Sequence, residues 1–170
     1  MTATLSPILP DSLEDAAQAM LTRASDAQLA IVTAESCTGG LLASLLTDVE
    51  GASHAFERGF VTYSEKAKCE LLGLAQTDID RCGVVSREVA LAMAAGALEA
   101  SPADLALAVT GFAGPGGPDD EPGLVHFACQ RRGREPAHRE EHFGDVGRGP
   151  VRVQSLKVAI AMLDEAVSAA

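Results

Sequence analysis

The chain has 170 residues and a formal net charge of −11 at pH 7, from 13 Lys and Arg against 24 Asp and Glu. A surface this acidic argues against a protein that coats DNA or RNA, because phosphate neutralisation needs a basic face. Hydrophobic residues make up 47% of the chain, enough to form a core, yet no apolar run approaches the roughly 18 residues that a membrane helix needs, so we expect neither nucleic acid nor membrane as a partner.

The N-terminus and the cysteines indicate the compartment. The segment 1–13 lacks the basic start and apolar stretch of a secretory signal. The four cysteines form no CxxC motif, so they suggest neither a zinc site nor a thioredoxin-type site. We expect reduced cysteines in a cytoplasmic protein, and one domain over 1–170 with 1–10 as a loose N-terminal tail.

The first half of the chain predicts alternating helices and strands. A helix start is predicted at 11–12, with Ser12 as its cap, because apolar residues then recur on one helical face. The following predicted elements are a buried strand over 27–34, a helix over 41–47, a strand over 59–63 and a helix over 65–72. Gly73 is a natural C-terminal cap for the last of these.

The second half predicts one more helix, three strands and a final helix. Ser86 is typical of the cap of an alanine-rich helix that runs toward Ala100, and a short hydrophobic strand follows over 104–109. Strands over 123–130 and 137–143 are joined by a link short enough for an antiparallel hairpin. An amphipathic helix is predicted around 153–167. This order favours an α/β fold, a single three-layer α/β/α domain with a mixed β-sheet.

Two glycine-rich loops follow predicted buried strands. Ligands of such sheets bind outside the carboxyl ends of the strands, where the loops 35–40 and 110–118 are expected. The first loop precedes a helix, whose N-terminus favours negative charge, but no lysine follows its glycines as in a P-loop. A helix cap with a tight turn and a flexible surface loop are the alternatives for the two segments. Two such loops together favour a shared ligand site.

The segment between the loops, 51–68, is dense in nucleophiles and bases. Ser53 and His54 are adjacent, but neighbouring side chains usually diverge, so His54 is a poor base for Ser53. A lysine such as Lys68 can activate a serine if burial lowers the lysine pKa and leaves some of it neutral at pH 7. The alternative for Lys68 is a solvated basic helix end, and spacing alone favours that alternative.

Other side chains offer rival chemistry. Cys37 near a helix N-terminus is a candidate thiolate nucleophile, although a small buried residue is the better interpretation. His126, His138 and His142 offer metal ligands, but nothing in their spacing fixes a tetrahedral site. The acidic run 119–121 reads better as a solvated loop than as a cation site. We therefore expect no metal site.

Three long blocks resemble those of a known family. The segments 33–40 (TAESCTGG), 56–64 (FERGFVTYS) and 109–117 (VTGFAGPGG) resemble the hallmark blocks of the CinA C-terminal-domain family, which includes bacterial nicotinamide-nucleotide amidases. The segments 83–86 and 123–125 match as well. The resemblance is strong over about 27–125 and extends weakly to the end of the chain. It implies the α/β fold of that family.

The resemblance also implies a reaction. It is the hydrolysis of the carboxamide of nicotinamide mononucleotide to nicotinate mononucleotide and ammonia, with a small-molecule substrate, no metal, no cofactor and a homodimer. The resemblance makes Ser53 the nucleophile, Lys68 its base and Tyr63 an assisting residue, while Ser36 lines the site. A catalytically silent nucleotide-binding or regulatory module of the same family is the alternative function.

The substrate would bind between the two loops. The loop residues expected to contact it are Thr38, Gly39, Gly40, Thr110, Gly111 and Gly114. Its phosphate needs positive charge in this acidic protein, and a cleft can focus a local field against the global one. The candidate cations are Arg58, which we place in the binding site, together with Lys66, Arg148 and Arg152.

Overall fold

The structure, a computed structural model, describes residues 9–51 and 54–169. Their helices are α1 (Asp11–Asp26), α2 (Leu41–Asp48), α3 (Glu65–Leu72), α4 (Gln76–Cys82), α5 (Arg87–Glu99) and α6 (Arg148–Ser168). Their strands are β1 (Ile31–Glu35), β2 (Phe56–Val61), β3 (Leu105–Gly111), β4 (Leu124–Arg131) and β5 (Ala137–His142). No helix in this described part of the chain is both long and apolar enough to span a membrane.

The strands form one mixed sheet in the order β2-β1-β3-β4-β5. β1 is parallel to both β2 and β3, whereas β3–β4 and β4–β5 are antiparallel. Every residue of β1 is buried, as are the first six of β3, because helices cover both faces of the sheet at its centre. The carboxyl ends of three parallel strands therefore meet at one edge.

Two hydrophobic layers lie on opposite faces of the sheet. One packs α1, α2 and α6 against side chains such as Ile31, Leu107 and Phe127. The other packs α3, α4 and α5 against the alternate residues Val32, Ala106 and Ala128. Alternation along each strand assigns neighbouring residues to different layers, since successive side chains point to opposite faces. The predicted three-layer α/β/α fold with a mixed sheet is confirmed.

Several boundaries differ from those predicted. α1 begins at Asp11 after Pro10, so Ser12 lies inside the helix and is not its cap. β1 starts at Ile31 because 27–30 form the turn after α1, with Gln28 at φ 56°. The helix α4 was not predicted, since it is seven residues long and buries only Ile79. Residues 1–8 of the expected N-terminal tail lie outside the described residues.

Candidate active site

Backbone hydrogen bonds draw the ends of the three parallel strands together. The Ser36 N–H donates to the Val109 carbonyl at 3.0 Å, which ties the first glycine loop to β3. The Thr62 N–H donates to the Glu35 carbonyl at 2.8 Å, which ties the end of β2 to β1. The residues just past these strands are far apart in the sequence, but they therefore lie in one small region of the structure.

A buried lysine lies in this region. Lys68, on α3, has no exposed surface, and its Nζ donates to Ser36 Oγ at 3.0 Å and to the Thr62 carbonyl at 2.8 Å. The α3 helix is held at its start by Ser64, whose hydroxyl accepts from the Ala67 N–H. The solvated alternative for Lys68 is wrong, because the structure buries the side chain against a serine hydroxyl.

Burial shifts the pKa values of Lys68 and Cys37, the two candidate reactive groups, in opposite directions. Desolvation lowers the pKa of Lys68, against smaller opposing effects of Cys37, Glu65 and Cys69, and so favours its neutral amine. Desolvation also raises the pKa of the Cys37 thiol to about 12, which suppresses the thiolate. Cys37 therefore fits the buried-residue interpretation rather than that of a nucleophile.

The N-terminus of α2 is filled by the protein itself. The fully buried Glu35 carboxylate accepts hydrogen bonds from the N–H groups of Gly40, Leu42 and Ala43 at 3.1, 3.0 and 2.8 Å. These donors belong to the N-cap residue and the first turn of α2, where an anion would otherwise bind. Sequence reasoning missed this role of Glu35, although a carboxylate ending an apolar strand before a glycine loop is a usable signal.

The N-terminus of α6 brings positive charge to both glycine loops. Arg152 donates through Nε to the Cys37 carbonyl at 2.9 Å, and a Cβ on Gly39 would collide with its guanidinium. A Cβ on Gly114 would lie 3.0 Å from Nη2 of Arg148. Within the described residues, neither guanidinium has a carboxylate at ion-pair distance. The glycines thus leave room for two unpaired cations.

The second loop is fixed from two sides. The buried Thr110 hydroxyl donates to the Val84 carbonyl at 2.9 Å, which joins β3 to the segment before α5. Gly111 packs on β4, since a Cβ there would lie 2.7 Å from the Val125 side chain.

In the first loop, Thr38 is buried and its hydroxyl has no hydrogen-bond partner among the described residues. The same hydroxyl is also shielded from solvent, so Thr38 packs inside the loop.

The contacts described above do not include three of the predicted site residues. Ser53 lies outside the described residues. Tyr63 follows Thr62 but is 67% exposed. Arg58 pairs with Val32 in the sheet, and its guanidinium contacts Glu57 and the Ala100 carbonyl at the end of α5. The Arg58 side chain therefore lies near the amino ends of the parallel strands, at the opposite end of the sheet from Lys68 and Ser36.

Three of the four histidines form a separate group on β4 and β5. His126 Nδ1 lies 3.1 Å from His138 Nε2, while His142 contacts Glu121 and Glu140. Desolvation lowers the pKa of both His126 and His138, whereas hydrogen bonds to Glu121 and Glu140 raise the pKa of His142. Among residues 9–51 and 54–169, no group of three or more His, Cys, Asp or Glu side chains is arranged to hold a metal ion.

The family model of the CinA C-terminal domain matches residues 13–167 of this chain. The chain belongs to the CinA C-terminal domain family. The nicotinamide-nucleotide amidohydrolase PncC of Escherichia coli is 45% identical over 136 residues, which cover 78% of this chain and 81% of PncC. The resemblance of the three sequence blocks to this family is therefore confirmed.

Other members of the CinA family differ in length. A CinA-like protein of Akkermansia muciniphila is 50% identical over 120 residues, 69% of this chain, and the match spans only 29% of that relative. The crystal structure of the competence/damage inducible protein CihA from Agrobacterium tumefaciens superposes with a TM-score of 0.90 at 42% identity, covering 95% of this chain and 98% of CihA. The CinA fold thus accounts for nearly all of the chain.

Proposed function

We propose that this chain hydrolyses the carboxamide of nicotinamide mononucleotide to nicotinate mononucleotide and ammonia. The observation that carries the proposal is the buried Lys68 amine 3.0 Å from the Ser36 hydroxyl, at the sheet edge where two glycine loops meet. Amide hydrolysis needs a nucleophile, a proton carrier and donors for an oxyanion. The similarity to PncC from E. coli, a nicotinamide-nucleotide amidohydrolase, supports the same reaction.

The phosphate of the nucleotide is proposed to bind at the start of α6. Arg148 and Arg152 lie against the two glycine loops, and α6 begins after Gly147 without a side-chain cap. Two guanidinium groups, together with the backbone N–H groups of Arg148 and Gly149 at the start of a 21-residue helix, form a suitable environment for a phosphate. Of the other candidate cations, Lys66 is exposed beside Glu70, and Arg58 is held by Glu57.

The nucleophile is proposed to be Ser53, with Lys68 as its base. Ser53 Oγ adds to the carboxamide carbon while its proton passes to neutral Lys68, with Ser36 as the carrier between them. The C–N bond then breaks, and ammonia leaves with the proton from Lys68. Water attacks the acyl ester with the help of Lys68, which releases the acid and restores the serine. Tyr63 is proposed to contact the substrate at the exposed mouth of the site.

The pH dependence follows from the burial of Lys68. The proposed base acts as a neutral amine, so the rate rises as pH increases through the pKa of Lys68. Desolvation holds that pKa below its ordinary value of 10.5, which increases the neutral fraction near pH 7. A rate that falls across this pH range would contradict a lysine base.

Ammonia release from nicotinamide mononucleotide, measured in the presence of a chelator, tests the proposal. We expect turnover in the wild type, little with free nicotinamide, almost none in Ser53→Ala, nearly as large a loss in Lys68→Met, and most of the activity in Cys37→Ser. The double variant Ser53→Ala/Lys68→Met falls little below either single one, because residues that act as a unit are not additive. Equal rates on nucleotide and free base would overturn the substrate assignment.

The same assay separates the two serines and the silent-module alternative. Acid quenching during turnover, followed by peptide mass analysis, identifies the residue that carries the acyl ester, and we expect Ser53. Acylation of Ser36 would make the described Ser36–Lys68 pair the nucleophile and base. A wild type that binds the nucleotide without releasing ammonia would support the catalytically silent binding module.

A further inference from the structure

The contact between α3 and α5 is a close approach of two backbones. Gly96 lies in the interior of α5, where glycine is unfavourable, and its φ is not positive. A Cβ built on Gly96 would overlap the Leu72 carbonyl oxygen and lie 2.9 Å from its carbonyl carbon and 3.0 Å from its Cβ. The glycine is therefore explained by space, because the last turn of α3 occupies the place of a side chain.

This contact lies one helical turn from the buried lysine. Leu72 ends α3 and follows Lys68 by four residues, so both project from the same face of a two-turn helix. Leu72 is 5% exposed and Lys68 is fully buried. A short helix moves as one body, so a displacement at Leu72 is transmitted to Lys68.

We propose that Gly96 is a positioning residue for Lys68, because its missing side chain sets how deeply α3 packs against α5. A methyl group at residue 96 must push α3 outward by at least about 1 Å to relieve this overlap. The 3.0 Å contact between Lys68 Nζ and Ser36 Oγ would then exceed hydrogen-bond range. Calling Lys68 the base rests on the proposed function, whereas its displacement rests on geometry alone.

The test uses the titration of Lys68, which needs no substrate. The chain has three lysines, Lys66, Lys68 and Lys157, so the side-chain NMR signals of lysine-labelled protein are assignable with one Lys→Arg variant each. Burial lowers the pKa of Lys68, while Cys37, Glu65 and Cys69 act in the opposite direction. Moving Lys68 toward water in Gly96→Ala should shift its titration midpoint to higher pH.

A matched control separates positioning from stability. Ala95→Gly, at the neighbouring position of α5, weakens the helix without adding an atom. We expect it to lower Tm while the Lys68 midpoint stays at its wild-type value. A Gly96→Ala protein that is folded and has an unchanged Lys68 midpoint would overturn the proposal and leave Gly96 a packing residue.

Activity adds a second readout. In the amidase assay, Gly96→Ala should lower kcat roughly tenfold to hundredfold with little change in KM, since a displacement of about 1 Å affects the reacting groups more than the distant phosphate site. An inactive wild type would contradict the proposed function only, because the titration still decides the role of Gly96. If Gly96→Ala fails to fold, Leu72→Ala is the second test, because it keeps the carbonyl and Cβ that meet Gly96 and removes only the outer side chain. The Lys68 midpoint should then stay at its wild-type value, and a shifted midpoint would overturn the proposal, since side-chain packing rather than the backbone contact would set the depth of α3.

Discussion

The N-termini of α2 and α6 have similar local structure but differ in the charged side chains that lie next to them. Each helix follows a glycine with positive φ, 92° at Gly40 and 91° at Gly147. Because glycine has no side chain, neither helix is capped by a side chain at that position. At α2 the buried Glu35 carboxylate takes three backbone N–H groups. At α6 the adjoining charges are Arg148 and Arg152, without carboxylate partners in the described part of the chain.

The difference shows that a glycine loop before a helix is not by itself an anion site. Both helix termini carry the same partial positive charge. At α2 that charge is already neutralised by the Glu35 carboxylate at the end of β1. The loop between them is tied to β3 by the hydrogen bond from the Ser36 N–H to the Val109 carbonyl. At α6 the charge is reinforced by guanidinium groups, so the phosphate is expected there. The neighbouring side chains, brought in by the fold, decide which terminus is left open to a ligand.

The largest expected effect comes from breaking the α2 cap. Glu35→Gln removes the charge and turns an amide NH₂ toward backbone donors, so buried N–H groups lose their partners. We expect a loss of about 3 kcal/mol in the free energy of unfolding, measured in urea. Glu99→Gln, an exposed carboxyl on α5, is the control and should change it by less than about 0.5 kcal/mol. A loss below about 1 kcal/mol for Glu35→Gln would argue against the cap.

Removing a cation at α6 should affect binding instead. We expect Arg152→Ala to raise KM for nicotinamide mononucleotide about tenfold or more, because a charge-assisted, forked contact to phosphate is lost. Arg152→Lys should recover only part of the affinity, since it restores a point charge without the fork. Arg81→Ala, an exposed cation on α4, should leave KM unchanged. An unchanged KM in Arg152→Ala would move the phosphate site elsewhere.

Inorganic phosphate probes the α6 terminus without any reaction. At about ten times its Kd, phosphate should stabilise the wild type by about 1.4 kcal/mol relative to chloride at equal ionic strength. The increment should be lost in Arg148→Ala/Arg152→Ala, which also controls for the general stabilising effect of phosphate. The measurement is Tm against phosphate concentration. The same increment in both proteins would show that the effect is not specific to α6.

The smallest effects come from the glycines of the two helix starts. Gly149→Ala, in the first turn of α6, should change the free energy of unfolding by less than about 0.5 kcal/mol, because the gain in helix propensity is opposed by the close approach of an alanine Cβ to the ring of Pro150. Gly40→Ala should destabilise the fold by about 1 kcal/mol, because φ 92° is strained for alanine. Urea unfolding of both variants measures the two changes. Equal changes would mean that the two glycines are equivalent, against the comparison drawn above.

Local pattern was sufficient for most of the fold. The helix over 65–72 with its Gly73 cap has the predicted bounds, and Ser86 caps α5 as expected by accepting from the Val89 N–H. The hairpin of β4 and β5 is antiparallel as predicted. These features depend on periodicity and capping within a few residues. The helix α4 was missed because a short helix that buries one side chain has no apolar face to detect.

By itself the sequence determined which residue types are present near the site: two glycine loops, a lysine and several arginines. Only the tertiary structure decided their partners. Lys68 and Ser36 are 32 residues apart, and the depth at which α3 packs on α5 decides whether Nζ is a solvated ammonium or a buried amine beside a hydroxyl. Likewise Glu35 and Arg152 gain their roles from the layers that bring α2 and α6 to the sheet edge. Burial and charge pairing depend on groups distant in sequence, so no local pattern specifies them.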